Sequence, residues 1–363
     1  MSGLKQPLLG ILATALVIAI SLGFISLFDF PKFAGWVATF LLCIIPMEIV
    51  MGVTWGLKHP PFAAERSQPV RGVLFTLFAL VIGAIVVLAH WAGVGGSISP
   101  PTPMLTQCLI ASVVITFWMA IMWGGWPFTA LIKSPMAAGL ALLVACYVIN
   151  YVFFRIFFNY GFMKGAPVYV AAQDPQGIFN AWYVLVFYIT ALSPMFLSLC
   201  FDLWPFTRFP GLMKQPVLGL VWTLVALVIG GGAYYIGVIV MGMDVVAFMV
   251  TVPIPFIFGS IFMLNMLQGS LFAKLTQPLK GVLNTLAAVA FGNLFALLYR
   301  QLMHTVTPGQ IDAGPPAYQS EIWLASALLS VTFPFLVAYA DFFTMWPLQR
   351  PKAAQVMETA GGR

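Results

Sequence analysis

Ten apolar segments of about 20 residues or more constrain this chain more than any other feature. A helix of that length crosses the hydrocarbon core of a bilayer, where every backbone N–H and C=O group must be hydrogen-bonded within the protein. Helices satisfy this requirement one segment at a time, so the sequence predicts an all-α polytopic membrane protein. The ten predicted helices span residues 7–28, 35–57, 69–91, 104–123, 135–158, 179–203, 216–241, 245–268, 278–300 and 322–345.

The composition supports this prediction and excludes two other classes. The chain is 61% hydrophobic and 7% charged, which leaves too little polar surface for a soluble fold of this size. Its formal net charge is +6, but the basic residues are spread singly between apolar segments, so nucleic-acid binding is not expected. The four cysteines lie inside apolar runs without Cys-x-x-Cys spacing, and we expect buried side chains with no zinc site. The predicted partner is the lipid bilayer.

The distribution of Lys and Arg predicts the orientation. Twelve of the 16 basic residues lie on one side of the predicted helices and four on the other. By the positive-inside rule both termini are then cytoplasmic, in the inner membrane of a bacterial cell. The first helix is long and lacks a small-residue cleavage site, so we expect a retained helix and not a removed signal peptide.

A nine-residue motif, Gln-Pro-x-x-Gly-x-x-x-Thr, opens four of the predicted helices. Proline at the first helical position loses no hydrogen bond, and small residues four apart allow helix backbones to approach closely in lipid. We therefore interpret the motif as a helix start with a close-packing face; the alternative is a cytoplasmic binding lip formed by exposed amides. The copies are Gln6, Pro7, Gly10, Thr14; Gln68, Pro69, Gly72, Thr76; Gln215, Pro216, Gly219, Thr223; and Gln277, Pro278, Gly281, Thr285, with a degenerate fifth copy at Ser134 and Pro135.

The spacing of these motifs predicts five helix-hairpin repeats. Pro7 and Pro69 are 62 residues apart, as are Pro216 and Pro278, and the hairpins alternate in the order short, long, long, short, long. The prediction is a first four-helix unit over residues 1–130, an additional hairpin over 131–210, a second four-helix unit over 211–350 and a short cytoplasmic tail over 351–363. Because an even number of helices precedes the second unit, both units should share one orientation.

Prolines interrupt most of the even-numbered helices near their centres. They are Pro46, Pro194, Pro255 and Pro334. Proline inside a helix removes a backbone hydrogen bond, and interrupted helices at matching positions of repeated halves indicate a binding site near the midplane. We expect these kinks to line a shared path, although such kinks also serve simply to shape a bundle.

Glu48 is the strongest single candidate, because it lies two residues after Pro46 near the middle of an apolar helix. An intramembrane carboxyl costs about 2.5–3.5 kcal/mol on insertion scales and is a functional candidate by default. It would either couple a proton to transport or face a cationic substrate; the alternative is a structural carboxyl bonded to a kink carbonyl. Asp341 ranks second and Asp202 third, and Asn265 would add an uncharged donor and acceptor.

A second polar set is predicted at the other ends of the odd helices: Asp29, His90, Arg155 and Arg300 lie 20 to 22 residues after their repeat prolines. Similar depth suggests an outer polar ring, in which the guanidinium groups would receive an anion. Snorkelling of the same side chains to lipid headgroups is the alternative.

Nothing in the chain predicts a metal, a cofactor or a catalytic residue. The three histidines lack ligand spacing, and no nucleotide-binding or nucleophile motif is present. The leading hypothesis is a transporter or permease for a small organic or ionic solute, in which Glu48 would couple transport to ions or protons. The alternative is a non-catalytic membrane subunit that anchors a partner enzyme or assembly, and a homo-oligomer is compatible with both. An intramembrane enzyme acting on a hydrophobic molecule is a third possibility.

Overall fold

The structure, a computed structural model, describes residues 4–309, 313–314 and 318–349. It confirms the all-α prediction: ten helices in these ranges are long and apolar enough to cross a membrane. The predicted tail over 351–363 lies outside the described residues. The helices are α1 (Leu8–Ile25), α2 (Phe30–Thr54), α3 (Val70–Ala92), α4 (Pro103–Met122), α5 (Pro135–Phe157), α6 (Ala181–Cys200), α7 (Val217–Val240), α8 (Val245–Met266), α9 (Leu279–Val306) and α10 (Gln319–Phe342).

Short elements occupy the connections. Two-residue strands, Phe158–Asn159 and Phe179–Asn180, pair in parallel at the two ends of the α5–α6 loop. The remaining elements are short helices: Pro61–Ala64, Phe128–Leu131, Gly161–Met163, Ala171–Gln173, Phe206–Arg208 and Pro210–Met213.

Burial divides the helices into two layers. In the most apolar stretch of each even-numbered helix, 61 to 78% of residues are buried, against 22 to 44% in the odd-numbered helices. The even helices contact one another in the order α2, α4, α6, α8, α10, and α10 returns to contact α2. They form a closed inner ring. Each odd helix lies outside this ring and exposes one side, which is apolar and suited to lipid.

Each outer helix packs into the groove between two inner helices. Helix α5 contacts α4 and α2, α7 contacts α6 and α4, and α9 contacts α8 and α6. The same arrangement continues around the ring, since α1 contacts α10 and α8, and α3 contacts α2 and α10. Contacts therefore continue across residues 130 and 210, and the division into two four-helix units stays a prediction.

The Gln-Pro motifs connect the two layers. The Gln6 side chain donates to the Met266 carbonyl at the end of α8 (2.9 Å) and accepts from the Gly10 backbone N–H (3.2 Å). Gln68 bonds in the same way to Phe342 O at the end of α10 (2.7 Å), and Gln215 to Met122 O at the end of α4 (3.0 Å). These amides are occupied by helix ends, which are left with unpaired carbonyls in any α-helix. The motif thus links the start of an outer helix to the end of an inner one.

The inner helices share one way of ending. Each is followed by two consecutive residues in the left-handed region, and the second donates its backbone N–H back to the helix, as Leu57 does to Met51 O and Gly125 to Met119 O, both at 2.9 Å. This closure turns the chain sharply and caps terminal carbonyls. We call the end of the bundle where the inner helices finish and the outer helices start the basic end. The left-handed pairs are Gly56 and Leu57, Gly124 and Gly125, Asp202 and Leu203, Gln268 and Gly269, and Thr344 and Met345.

Glycines allow the closest helix contact, between α8 and α9. A Cβ atom on Gly292 would lie 1.8 Å from the Pro255 carbonyl oxygen, and one on Gly259 would lie 1.9 Å from the Ala288 carbonyl oxygen. Backbone meets backbone at both points, so neither position tolerates a side chain without separation of the helices. Close approach of this kind gives dispersion contacts that replace the hydrophobic drive missing in lipid.

Gly292→Ala is expected to lower stability by about 1–3 kcal/mol, because the added methyl group overpacks the α8–α9 contact. Gly232→Ala is the matched control, since a Cβ atom there would have no heavy atom within 4 Å. Thermal unfolding of both variants in detergent, followed by circular dichroism, checks this. Equal midpoints for the two variants would contradict the close contact.

Gln6→Glu is expected to destabilise the chain by about 1–3 kcal/mol, because it replaces the amide donor to Met266 O with an acceptor. Gln301→Glu makes the same chemical change at an exposed position. The same unfolding measurement applies. A loss that is equal for both variants would show that the added charge, and not the broken bond, is responsible.

Candidate functional site

A vestibule of about 550 Å³ lies on the axis of the inner ring, at the basic end. All five inner helices contribute to its wall, and no outer helix does. Its volume lies within the range of small-molecule sites. The lining residues are Glu48, Ile49, Gly52 and Val53 of α2; Phe117 and Ile121 of α4; Phe196 and Leu199 of α6, with Asp202 and Leu203 after it; Ile261, Leu264 and Asn265 of α8; and Phe333, Val337 and Asp341 of α10.

Glu48 lies at the floor of this vestibule. It is the lining residue of α2 farthest from the basic end, and it lies six positions before Thr54, where α2 ends. At 1.5 Å per residue the floor is therefore about 9 Å inside that end. The corresponding deepest residues of the other four helices are apolar: Phe117, Phe196, Ile261 and Phe333.

Three phenylalanine rings close the floor. The Phe117 ring lies 5.5 Å from the Phe196 ring and 5.9 Å from the Phe333 ring, centroid to centroid. These spacings are those of favourable aromatic pairs. Beyond the rings the inner helices are packed with buried side chains, so the vestibule is open at the basic end and closed toward the other.

The Glu48 carboxyl group has no hydrogen-bond partner among the described residues. The residue is 3% exposed, and its Oε2 atom is fully buried. Buried polar groups are normally paired, and an unpaired one is costly, so this carboxyl group is a candidate for binding a ligand or a proton.

Asp341 lies close enough to Glu48 for the two carboxyl groups to interact electrostatically. Gly52 packs beside the Asp341 carboxyl group: a Cβ atom at position 52 would be in ordinary van der Waals contact with Asp341 Oδ2, at 3.5 Å. A side chain larger than that of alanine at position 52 would occupy the space beside the Asp341 carboxyl group. Two negative charges held close together in a low-dielectric site repel each other, and a positive charge between them removes the repulsion.

Asp202 marks the mouth of the vestibule. Its side chain is 55% exposed and forms an ion pair with Lys280 at 2.6 Å. The same oxygen accepts from Gln277 Nε2 at 3.0 Å, so this motif glutamine contacts a carboxylate where the other three contact a carbonyl. Asp202 is thus already paired with a cation, whereas Glu48 and Asp341 have no basic partner among the described residues.

The kink prolines do not line the vestibule themselves, but three of them lie beside residues that do. Glu48 follows Pro46 by two residues, Phe196 follows Pro194 by two, and Phe333 directly precedes Pro334. Pro255 has another role, since its carbonyl group packs on Gly292. Asn265, also predicted for the path, does line the wall.

The structure does not bring the four members of the predicted outer ring together. Asp29 pairs with Lys32 at 2.7 Å, which lowers the pKa of Asp29 through that hydrogen bond, and His90 Nδ1 bonds to Val86 O at 2.9 Å. Arg155 and Arg300 are exposed, on α5 and α9. Each residue belongs to a different outer helix or its end, so the four lie around the perimeter. Arg300 borders a cleft of about 290 Å³ between α8 and α9.

Tyrosine–aspartate hydrogen bonds fasten the loops at the end opposite the vestibule. The Tyr169 hydroxyl donates to Asp174 Oδ2 at 3.0 Å, and the Tyr318 hydroxyl donates to Asp244 Oδ2 at 2.8 Å. Desolvation, together with the bond to Asp244, raises the pKa of Tyr318 to about 12, so the donor keeps its proton at neutral pH. The second bond ties the α9–α10 loop to the α7–α8 loop.

The described residues contain no group of three or more His, Cys, Asp or Glu side chains able to hold a metal ion. All four cysteines are buried, as predicted. Asn150 and Asn284 join neighbouring helices by donating to the Cys108 and Cys200 carbonyls at 2.9 and 3.2 Å.

Sequence reasoning missed the aromatic floor and Gly52. Phe196 and Phe333 carry a usable signal, because each lies within two residues of an inner-helix proline. Phe117 and Gly52 carry none, since phenylalanine and glycine are both common throughout the apolar segments.

Comparison with protein-family models, curated proteins and solved structures finds no match for this chain.

Asn265→Cys is expected to react with a water-soluble thiol reagent roughly a hundredfold or more faster than Ser260→Cys, because a fully buried thiol reacts only when the structure opens locally. Asn265 is half-buried in the vestibule wall, whereas Ser260, on the same helix, is 0% exposed. The four native cysteines are buried and give a low background. The labelling rates of the two variants are measured by mass spectrometry. Equal rates would contradict an open vestibule.

Proposed function

We propose that this protein is a membrane transporter or permease for a small solute that crosses along the axis of the inner ring. The solute is positively charged, or its movement is coupled to a proton. The observation that carries the proposal is the Glu48 carboxyl group, which is 3% exposed and has no hydrogen bond to any described residue. It lies at the floor of a vestibule that all five inner helices line.

The charge of the vestibule supports a cation. Among the described residues, three carboxyl groups line it, and no lysine, arginine or histidine does. Lys280 pairs with Asp202 from outside the wall, whereas Glu48 and Asp341 have no such partner within that part of the chain. Intramembrane acids of this kind mark ion pathways and proton relays, and a solute of opposite charge would relieve their mutual repulsion.

The closed floor favours a transporter that changes conformation and argues against a permanently open channel. Passage past Phe117, Phe196 and Phe333 requires the inner helices to move. Interruptions in these helices favour such movement: α8 breaks at Val252, and α2 and α10 each change between α-helical and π-helical turns. Non-regular turns inside membrane helices commonly serve as hinges at functional sites.

The motif contacts also support two finer proposals. The five hairpins would descend from one repeated unit, since the starts of the outer helices and the ends of the inner helices use the same local geometry. The basic end would face the cytoplasm of a bacterial cell, so the vestibule would be in its inward-open state.

Glu48→Gln is expected to reduce cation transport about tenfold or more, because it removes the charged partner of the solute while preserving size. Purified protein in liposomes, adsorbed on a solid-supported membrane, would receive concentration jumps of protons, potassium and choline while the current is recorded. The unaltered protein should respond to at least one of the three. Glu65→Gln, which removes an exposed carboxylate in the α2–α3 loop, should respond as the unaltered protein does.

Two results would overturn the proposal. One is the absence of any current above that of protein-free liposomes. The other is an unchanged current in Glu48→Gln. A silent protein that co-purifies with a stoichiometric partner would instead support the anchoring-subunit alternative.

A further inference from the structure

We propose that the vestibule binds organic ammonium ions in preference to inorganic cations. This inference rests on the proposed function and specifies its substrate class: a compact positive charge surrounded by alkyl groups, directed at Glu48 and Asp341, with its apolar part against the phenylalanine rings. Each part of this description follows from a separate property of the wall.

The first property is a pair of carboxyl groups without a basic partner among the described residues. Glu48 is buried, lacks any hydrogen bond among the described residues and lines the cavity. Asp341 lines the same cavity, beside Gly52. A cation seated between the two carboxylates would satisfy both, whereas an anion or a neutral solute would leave them opposed.

The second property is the scarcity of other polar atoms around Glu48 and Asp341. A bare inorganic cation needs about six oxygen ligands to replace its water shell. Besides the neutralised Asp202, the wall offers two carboxyl groups and the Asn265 amide; the remaining lining side chains are aliphatic, aromatic or glycine. An alkylammonium ion holds its hydration weakly, so the same wall can accept it without compensating oxygen atoms.

The third property is the aromatic floor. Phe117, Phe196 and Phe333 come from three different helices and meet beside Glu48. Aromatic faces attract quaternary and alkylated ammonium groups through cation–π interactions. Carboxylate and aromatic groups converging on one cavity favour a ligand that is charged and apolar at once.

The volume agrees with such a ligand. A cavity of about 550 Å³ accommodates a small organic molecule. A monatomic ion would leave most of that space to water against an apolar wall. The site is therefore larger than a dedicated inorganic-ion site needs to be.

Isothermal titration calorimetry of the full chain in detergent tests the inference. The probes are tetraethylammonium, choline, potassium and dimethylbutanol, the neutral alcohol in which carbon replaces the choline nitrogen. We expect both ammonium ions to bind. Potassium should bind at least roughly tenfold more weakly than either of them, and the alcohol should not compete with their binding. Charge and alkyl groups would then both be required.

Three variants assign the binding to the vestibule. Glu48→Gln and Asp341→Asn should each weaken ammonium binding about tenfold or more, and Phe117→Leu about threefold to tenfold by removal of one aromatic face. Glu65→Gln should bind as the unaltered chain does. Thermal unfolding of each variant separates lost binding from lost folding. If Glu48→Gln does not fold, Asp341→Asn replaces it as the test of the carboxyl groups.

The outcomes separate this inference from the proposed function. Potassium binding as tight as ammonium binding, or competition by the alcohol, would overturn the inference, and a Glu48-dependent potassium current would leave transport standing. Ammonium binding that requires Glu48 and Phe117, with no current for any cation, would support the ligand class and overturn transport. Ammonium binding that survives all three vestibule variants would overturn the inference.

Discussion

The contact between the start of each outer helix and the end of an inner helix is the constraint on which the rest of the structure depends. Lipid supplies no hydrophobic drive between helices, so close backbone approach and hydrogen bonds must hold them together. Glutamine amides and neighbouring glycines supply both at four of these junctions. At the fifth, Trp55 Nε1 donates to Pro135 O at 2.9 Å, and Gly139 lies against the same indole ring.

These junctions explain why the polar residues meet on the axis. Five outer helices fixed in the grooves of five inner ones close the inner ring, and a closed ring of kinked helices leaves space at its centre. Side chains that face this space escape lipid. Glu48 and Asp341 are tolerated there because the cavity admits water or a ligand, which the apolar exterior does not. The same geometry places Arg155 and Arg300 on the perimeter, where long basic side chains reach headgroups.

Much of the fold was predictable from local pattern, and the reasons are physical. Apolar length alone reports a membrane helix, so the ten segments were found with ends that differ from the structure by a few residues. Among the site residues, Glu48, Asp341 and Asn265 were predicted singly and do share one cavity. The phenylalanine floor was not predictable, because an aromatic residue that faces a pore and one that faces lipid look alike in a hydrophobic sequence.

The sequence by itself determined that the chain crosses a membrane with ten helices, where each outer helix starts, and that the second helix contains an intramembrane carboxyl group. Each of these follows from hydropathy or from the chemistry of adjacent residues. Only the tertiary structure decided that the even helices form the inner ring, that Asp341 and Glu48 line one vestibule, and that the outer polar residues stay apart. Those outcomes depend on which helix faces which, and in a bilayer that choice is made by shape and close packing.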